Sequence, residues 1–173
     1  MKYLWIVGLM LFGGMLLAGT DIDVNGKFAG SKVGDKAPKG WYFNVSIKPD
    51  GTGKVVQVGD ELGVQITNPK RSAAYYSRQF KVNAGEKYEM SCDAVGTGKA
   101  HLAMYFYKQN CGGGSILQPA VTLQPGKNEL KYTFTVPAEI NGAVPVLGCF
   151  VFYVQGPGEV TFTDVEVEKE DVK

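Results

Sequence analysis

The sequence predicts a two-sheet antiparallel β-sandwich, and three observations carry that reading. Short runs rich in Val, Tyr, Phe and Thr recur along the chain. Turn signals separate them: Asp50-Gly51, Gly59-Asp60, Asn68-Pro69, Ala84-Gly85, Pro125-Gly126, Asn141-Gly142 and Gly156-Pro157-Gly158. Several runs alternate apolar and polar residues with period two, the pattern of a sheet with one face in a core. No stretch sustains a helical period, although Ala138 to Val144 leaves room for one turn. Many short strands with frequent turns close into a sandwich or a barrel.

The first 20 residues stand apart. Lys2 is their only charge, an apolar run extends from Tyr3 to Leu17, and the small residues Ala18, Gly19 and Thr20 follow. Basic, apolar, then small is the order of a secretory signal peptide. The run falls short of the ~20 apolar residues a spanning helix needs, and Gly8, Gly13 and Gly14 interrupt it. Thr20 stands where a lipoprotein box would place Cys, so no lipid anchor is expected. The expectation is a signal peptide over 1–20 and a single domain over 21–173, secreted or extracytoplasmic (periplasm or cell surface). Removing Lys2 leaves 17 Lys+Arg against 17 Asp+Glu. A neutral domain without a basic cluster argues against nucleic acid, which is bound through excess positive charge. No membrane partner is expected once the signal is removed.

The elements follow in order. The expected strands are Val24–Phe28, Tyr42–Ile47, Lys54–Val58, Leu62–Thr67, Ala74–Val82, Lys87–Val95, Lys99–Lys108, Ala120–Leu123, Asn128–Val136, Val146–Gln155 and Glu159–Glu168. Tyr88, Met90 and Cys92 form an inward row, which makes Cys92 a buried thiol. Tyr132, Phe134 and Val136 point inward, as do Val160 and Phe162 between Thr161 and Thr163. The apolar strand Gly148 to Val154 leaves its parity open, so Phe152 and Tyr153 are alternatives for the outer face. The end, Glu166 to Lys173, is charged and is expected to fray after Val167, with Glu166 to Asp171 as a solvated strand edge. Three Cys do not make a disulfide scaffold. Cys111 opens a loop, Cys111-Gly112-Gly113-Gly114, and a bridge, if formed, is expected between Cys111 and Cys149.

The strand from His101 to Tyr107 is the most informative. Leu102, Met104 and Phe106 make an apolar face. His101, Ala103, Tyr105 and Tyr107 make the other, flat and tipped with hydrogen-bonding atoms. A solvated strand face usually carries Lys, Glu or Thr instead. Rings that meet apolar C–H patches while their hydroxyls meet other hydroxyls suit a sugar. If Phe80 and Val82 point inward, Tyr75, Ser77, Gln79 and Lys81 point the other way, and Tyr75 and Gln79 become candidates for sugar hydroxyls. The candidate binding residues are therefore Tyr105, Tyr107, His101, Tyr75, Gln79 and Tyr153. Two covered arrangements compete with that reading: a loop, such as Cys111 to Ser115, over the tyrosines, or His101 as a satisfied structural residue.

A resemblance points the same way. Asn25-Gly26-Lys27-Phe28, Gly40-Trp41, Gly85-Glu86-Lys87-Tyr88 and the closing Gly158 to Val167 with Asp164-Val165 resemble the galactose-binding-like jelly roll. More narrowly, they resemble the carbohydrate-binding modules attached to bacterial xylanases and endoglucanases. The resemblance spans nearly all of residues 21–173. It implies a concave sheet face that holds a glycan chain, and Trp41 covering one end of the sandwich. It also implies a structural calcium ion between the first motif and the last strand. Ala29 and Thr163 stand where members often carry acids, which leaves Asp164 as the candidate ligand and weakens the calcium expectation.

Catalytic signatures are lacking. The chain has one His, and no Gly-x-Ser-x-Gly, His-Glu-x-x-His or phosphate loop. The expected function is non-catalytic binding of a polysaccharide or oligosaccharide on the concave face, with no cofactor beyond that calcium. The alternative is a structural or protein-interaction domain of the cell envelope with no glycan ligand.

Overall fold

In the computed structural model, residues 19–44, 51–68, 70, 72–108 and 111–170 are described, with only the backbone at 44 and 111. The expected signal peptide lies almost entirely outside them, as do residues 45–50 and 171–173. The described residues hold strands and turns and no helix. In chain order the strands are β1 (Thr20–Asp21), β2 (Trp41–Asn44), β3 (Thr52–Val58), β4 (Glu61–Asn68), β5 (Ser72–Ser77), β6 (Phe80–Lys81), β7 (Lys87–Lys108), β8 (Cys111–Leu117), β9 (Val121–Thr122), β10 (Lys127–Thr135) and β11 (Leu147–Lys169).

The strands pair antiparallel and form two layers that share the long strands β7 and β11. The first layer runs β10, the first half of β7, the second half of β11, β4, β3. The second runs β8, the second half of β7, the first half of β11, β5, β2, with β6 and β9 at its ends. Four strands expected separately are thus two bent ones. Glycines turn the corner. A Cβ on Gly96 would lie 2.0 Å from the Glu159 carbonyl oxygen, and one on Gly158 would lie 2.4 Å from that of Thr97. Gly96 and Gly98 also hold φ of 148° and 101°, which side chains disfavour.

The core lies between the layers. Met90, Ala94, Leu102, Met104 and Phe106 of β7 meet Phe150, Phe152, Val160 and Phe162 of β11, all fully buried. Trp41 stacks on Phe152 with centroids 4.6 Å apart, and Phe152 stacks on Phe162 at 4.9 Å. The Trp41 indole N–H donates to the Asn25 carbonyl at 3.3 Å, so the large ring is buried with its one donor satisfied.

Two local expectations fail. Val24–Phe28 is a turn rather than a strand, because Asn25 and Phe28 take φ of 55° and 56° and Phe28 drops into the core. Ala138 to Val144 forms no helical turn; Ile140 and Ala143 bridge across Asn141-Gly142, whose φ values are positive.

Candidate functional site

The outer face of the second layer carries the aromatic row. Strand register sets it out in steps. Tyr42, Tyr76, Val151, Ala103 and Leu117 stand side by side across five strands. One step along are Ala74, Tyr153 and His101, and one step the other way are Cys149, Tyr105 and Ser115. Leu147, Tyr107 and Gly112 follow. Ala74, Ala103, Cys149 and Val151 are buried beneath the rings of Tyr76, Tyr105, Tyr107 and Tyr153.

The rings form a connected carpet. Tyr42 stacks on Tyr76 at 5.8 Å, Tyr76 meets Tyr105 edge-on at 6.2 Å, and Tyr105 meets Tyr107 at 5.0 Å. The Tyr76 and Tyr153 hydroxyls share a 2.8 Å hydrogen bond, and Tyr153 stacks on His101 at 4.9 Å. Tyr107 contacts the Tyr42 hydroxyl and the Gln79 side chain, and the Cys149 thiol lies 3.8 Å from the Tyr107 hydroxyl. Tyr105, Tyr107 and Tyr153 keep part of their surface in solvent, and Tyr42 is 44% exposed.

Burial sets the ionisation of this face. It raises the pKa of Tyr42, Tyr107 and Tyr153, pushes the Cys149 thiol up to about 12, and lowers that of His101. All five are therefore uncharged at neutral pH. The His101 Nδ1 is buried without a hydrogen-bond partner. Such an atom costs about 1–3 kcal/mol while unmet, so a group that reaches it is favoured there.

The structure brings Tyr105, Tyr107, His101, Tyr153 and Gln79 together and leaves Tyr75 out. Tyr75 is fully buried in the core, and its hydroxyl donates to the Lys36 carbonyl. The expected parity fails because Arg78 and Gln79 interrupt pairing between β5 and β6, and one extra residue moves every earlier side chain to the opposite face. Tyr76 takes the place assigned to Tyr75. Phe152 faces the core, which settles Tyr153 on the outer face. Tyr42 was missed, although Trp41 inward implies Tyr42 outward by strand alternation.

The glycine-rich segment is no lid. It forms β8, paired beside Tyr105 and Tyr107. A Cβ on Gly112 would lie 2.3 Å from the Tyr105 hydroxyl, so the missing side chain makes room for that ring.

The expected bridge is corrected as well. Cys149 is a free thiol. Cys111 pairs with Lys108 on one side of β7, and Cys149 with Tyr105 on the other. Two strand spacings and three residues separate their Cα atoms by roughly 14 Å, twice the reach of a disulfide. The Asp164 Oδ1 is buried against the Lys27 ammonium as an ion pair. No group of three or more His, Cys, Asp or Glu side chains among the described residues is placed to hold a metal ion. These donors do not fit a carboxylate-built calcium site.

Known structures share this architecture. A Stig cyclase from Fischerella sp. TAU, solved with an indole compound, superposes with a TM-score of 0.66 at 12% identity, covering 90% of this chain and 100% of that one. The family 11 carbohydrate-binding module of a Clostridium thermocellum cellulosomal cellulase gives 0.56 at 10%, covering 90% and 98%. A family 4 carbohydrate-binding module gives 0.55 at 18%, covering 84% and 98%. The fold is a jelly-roll β-sandwich like those of the cyclase and of the carbohydrate-binding modules. At these identities the likeness fixes the fold alone. No family model and no curated protein matches the sequence. No helix among the described residues is long and apolar enough to cross a membrane.

Proposed function

We propose that this protein is a secreted, non-catalytic glycan-binding domain whose ligand lies on the outer face of the second layer. One observation carries the reading: Tyr105 and Tyr107 form a partly exposed aromatic floor, flanked by the exposed Tyr42, the partly exposed Tyr153, the buried Tyr76 and Gln79. A contiguous aromatic surface open to solvent is a candidate interaction site. Its rings offer flat apolar surface and its hydroxyls and amide offer hydrogen bonds, the pairing that a sugar presents in reverse. Among the described residues no carboxylate stands at the register positions of the face, so they supply no carboxylate pair of the kind glycoside hydrolysis uses. The signal-like first 20 residues support export.

The test is a panel of plant, algal and bacterial polysaccharides against the protein, then against Tyr105→Ala and Tyr107→Ala. Binding by the wild type and a loss of tenfold or more in either folded variant supports the reading. Equal binding by both variants refutes the site, and no binding across the panel favours an envelope interaction domain.

The cyclase match favours a second reading, a small flat aromatic ligand on the same rings. Titration with indole and simple indole ketones separates the two: saturable micromolar binding of these in place of glycans supports the second.

A further inference from the structure

The charges around the aromatic face are one-sided. Lys99 stands at one end, in register with Gln155 and two residues from His101 on the same strand. Lys81 stands at the other end, opposite Leu147, which in turn faces Tyr107. Lys108 follows Tyr107 and lines an end groove with Lys81, floored by Val82, Pro145 and Leu147. None of these lysines has an ion-pair partner among the described residues. The ion pairs lie elsewhere, from Lys127–Asp93 and Lys131–Glu89 on the first layer to Lys27–Asp164 and Arg78–Asp23 near the N-terminal turn. Among the described residues no Asp or Glu occupies a register position of the aromatic face.

Among the described residues the face therefore carries Lys81 and Lys99 and no carboxylate, in a chain whose formal net charge is only +1. Free ammonium groups around an uncharged aromatic floor repel cations and attract anions. The floor suits the apolar face of a sugar ring, and the lysines suit a carboxylate projecting from the rim of that ring. Lys81 and Lys99 are separated by eight residues along the strands and two strands across, roughly 28 Å. That span requires a ligand several sugars long, with acidic groups spaced along it. Resting on the glycan-binding reading, we propose that the ligand is an acidic polysaccharide bearing uronic acid groups, with Lys81 and Lys99 as its carboxylate contacts.

The test uses polygalacturonate, alginate, glucuronoxylan and hyaluronate, each before and after reduction of its carboxyl groups to primary alcohols. Reduction removes the charge and keeps the backbone. Neutral xylan, galactan and mixed-linkage β-glucan complete the set. The expected result is binding of at least one acidic polymer, lost tenfold or more on carboxyl reduction. Lys81→Gln and Lys99→Gln are each expected to weaken it about two- to fivefold, the range for exposed ion pairs. Lys54→Gln, an exposed lysine on β3 of the other layer, is the control and leaves binding unchanged. Binding of neutral or carboxyl-reduced polymers as tight as that of the acidic ones overturns the charge assignment and leaves the glycan reading standing. No binding to any polymer overturns both.

Discussion

Gly112→Ala separates the geometry of the aromatic face from the stability of the fold. The added Cβ would lie 2.3 Å from the Tyr105 hydroxyl oxygen, 3.2 Å from its Cζ and 3.3 Å from its Cε1. All three belong to the free end of one side chain, so the ring can swing aside while the backbone stays. Gly112 does not hold a left-handed φ, and alanine there narrows the unfolded ensemble, worth about 0.4–1 kcal/mol of stability. Forcing the ring off its rotamer costs about 0.5–1.5 kcal/mol. The two nearly cancel, and urea unfolding should show a change within about 1 kcal/mol. Binding should change as well. A ring pushed off the carpet loses a stacking contact worth about 0.5–1.5 kcal/mol, roughly a two- to twelvefold rise in Kd by titration calorimetry. The double variant with Tyr105→Ala should bind no worse than Tyr105→Ala alone. Wild-type affinity in Gly112→Ala, with Tyr105→Ala impaired, would refute the argument that Gly112 seats the ring. A loss of more than about 3 kcal/mol of stability would refute the claim that only a side chain has to move.

Other perturbations have equally definite outcomes. Gly96→Ala puts a Cβ on the Glu159 carbonyl at a φ of 148°; a loss of about 3 kcal/mol or more should appear as a lowered urea midpoint. His101 has its pKa lowered by burial, so its stabilising share is intact above pH 6.5 and is lost as pH falls through the folded value. The melting temperature should therefore drop between pH 7 and 5, and His101→Phe should remove His101's part of that drop. Glu86 is partly buried, which opposes its charge, but hydrogen bonds from Lys169, Asn83 and Tyr88 outweigh this and hold its carboxyl at about 2. Its contribution is present above about pH 4.5 and lost as pH falls through about 2. Glu86→Gln should cost about 1–2 kcal/mol at pH 7 by urea unfolding, after solvent screening, and flatten the acid limb of the stability profile.

Much of this face was legible in the sequence, for a physical reason. From His101 to Tyr107 the strand is regular, so period-two alternation assigns each side chain correctly: Leu102, Met104 and Phe106 to the core, Tyr105 and Tyr107 outward. Alternation fails wherever pairing is interrupted. At Arg78 and Gln79 one extra residue exchanged the roles of Tyr75 and Tyr76, and no local signal marks that slip. The glycine run read as a loop because glycine has little strand preference. It pairs as β8 because a strand without side chains is what the Tyr105 ring can lie against. The bends in β7 and β11 read as breaks for a similar reason, since Gly96, Gly98 and Gly158 are turn residues used at a corner where paired backbones touch. The lysines at the ends of the face were invisible as a pair, because Lys81 lies far in sequence from Lys99 and only β11 connects them.

The most direct test is nuclear magnetic resonance mapping of backbone amide shifts during titration with a glycan bound in the polysaccharide panel. The largest shifts should fall on His101, Ala103, Tyr105, Tyr107, Val151, Tyr153 and Tyr76, with β3, β4 and β10 unmoved. Shifts concentrated on β3, β4 or β10, with the aromatic carpet unmoved, would place the ligand on the other layer and rule out the aromatic face as its site.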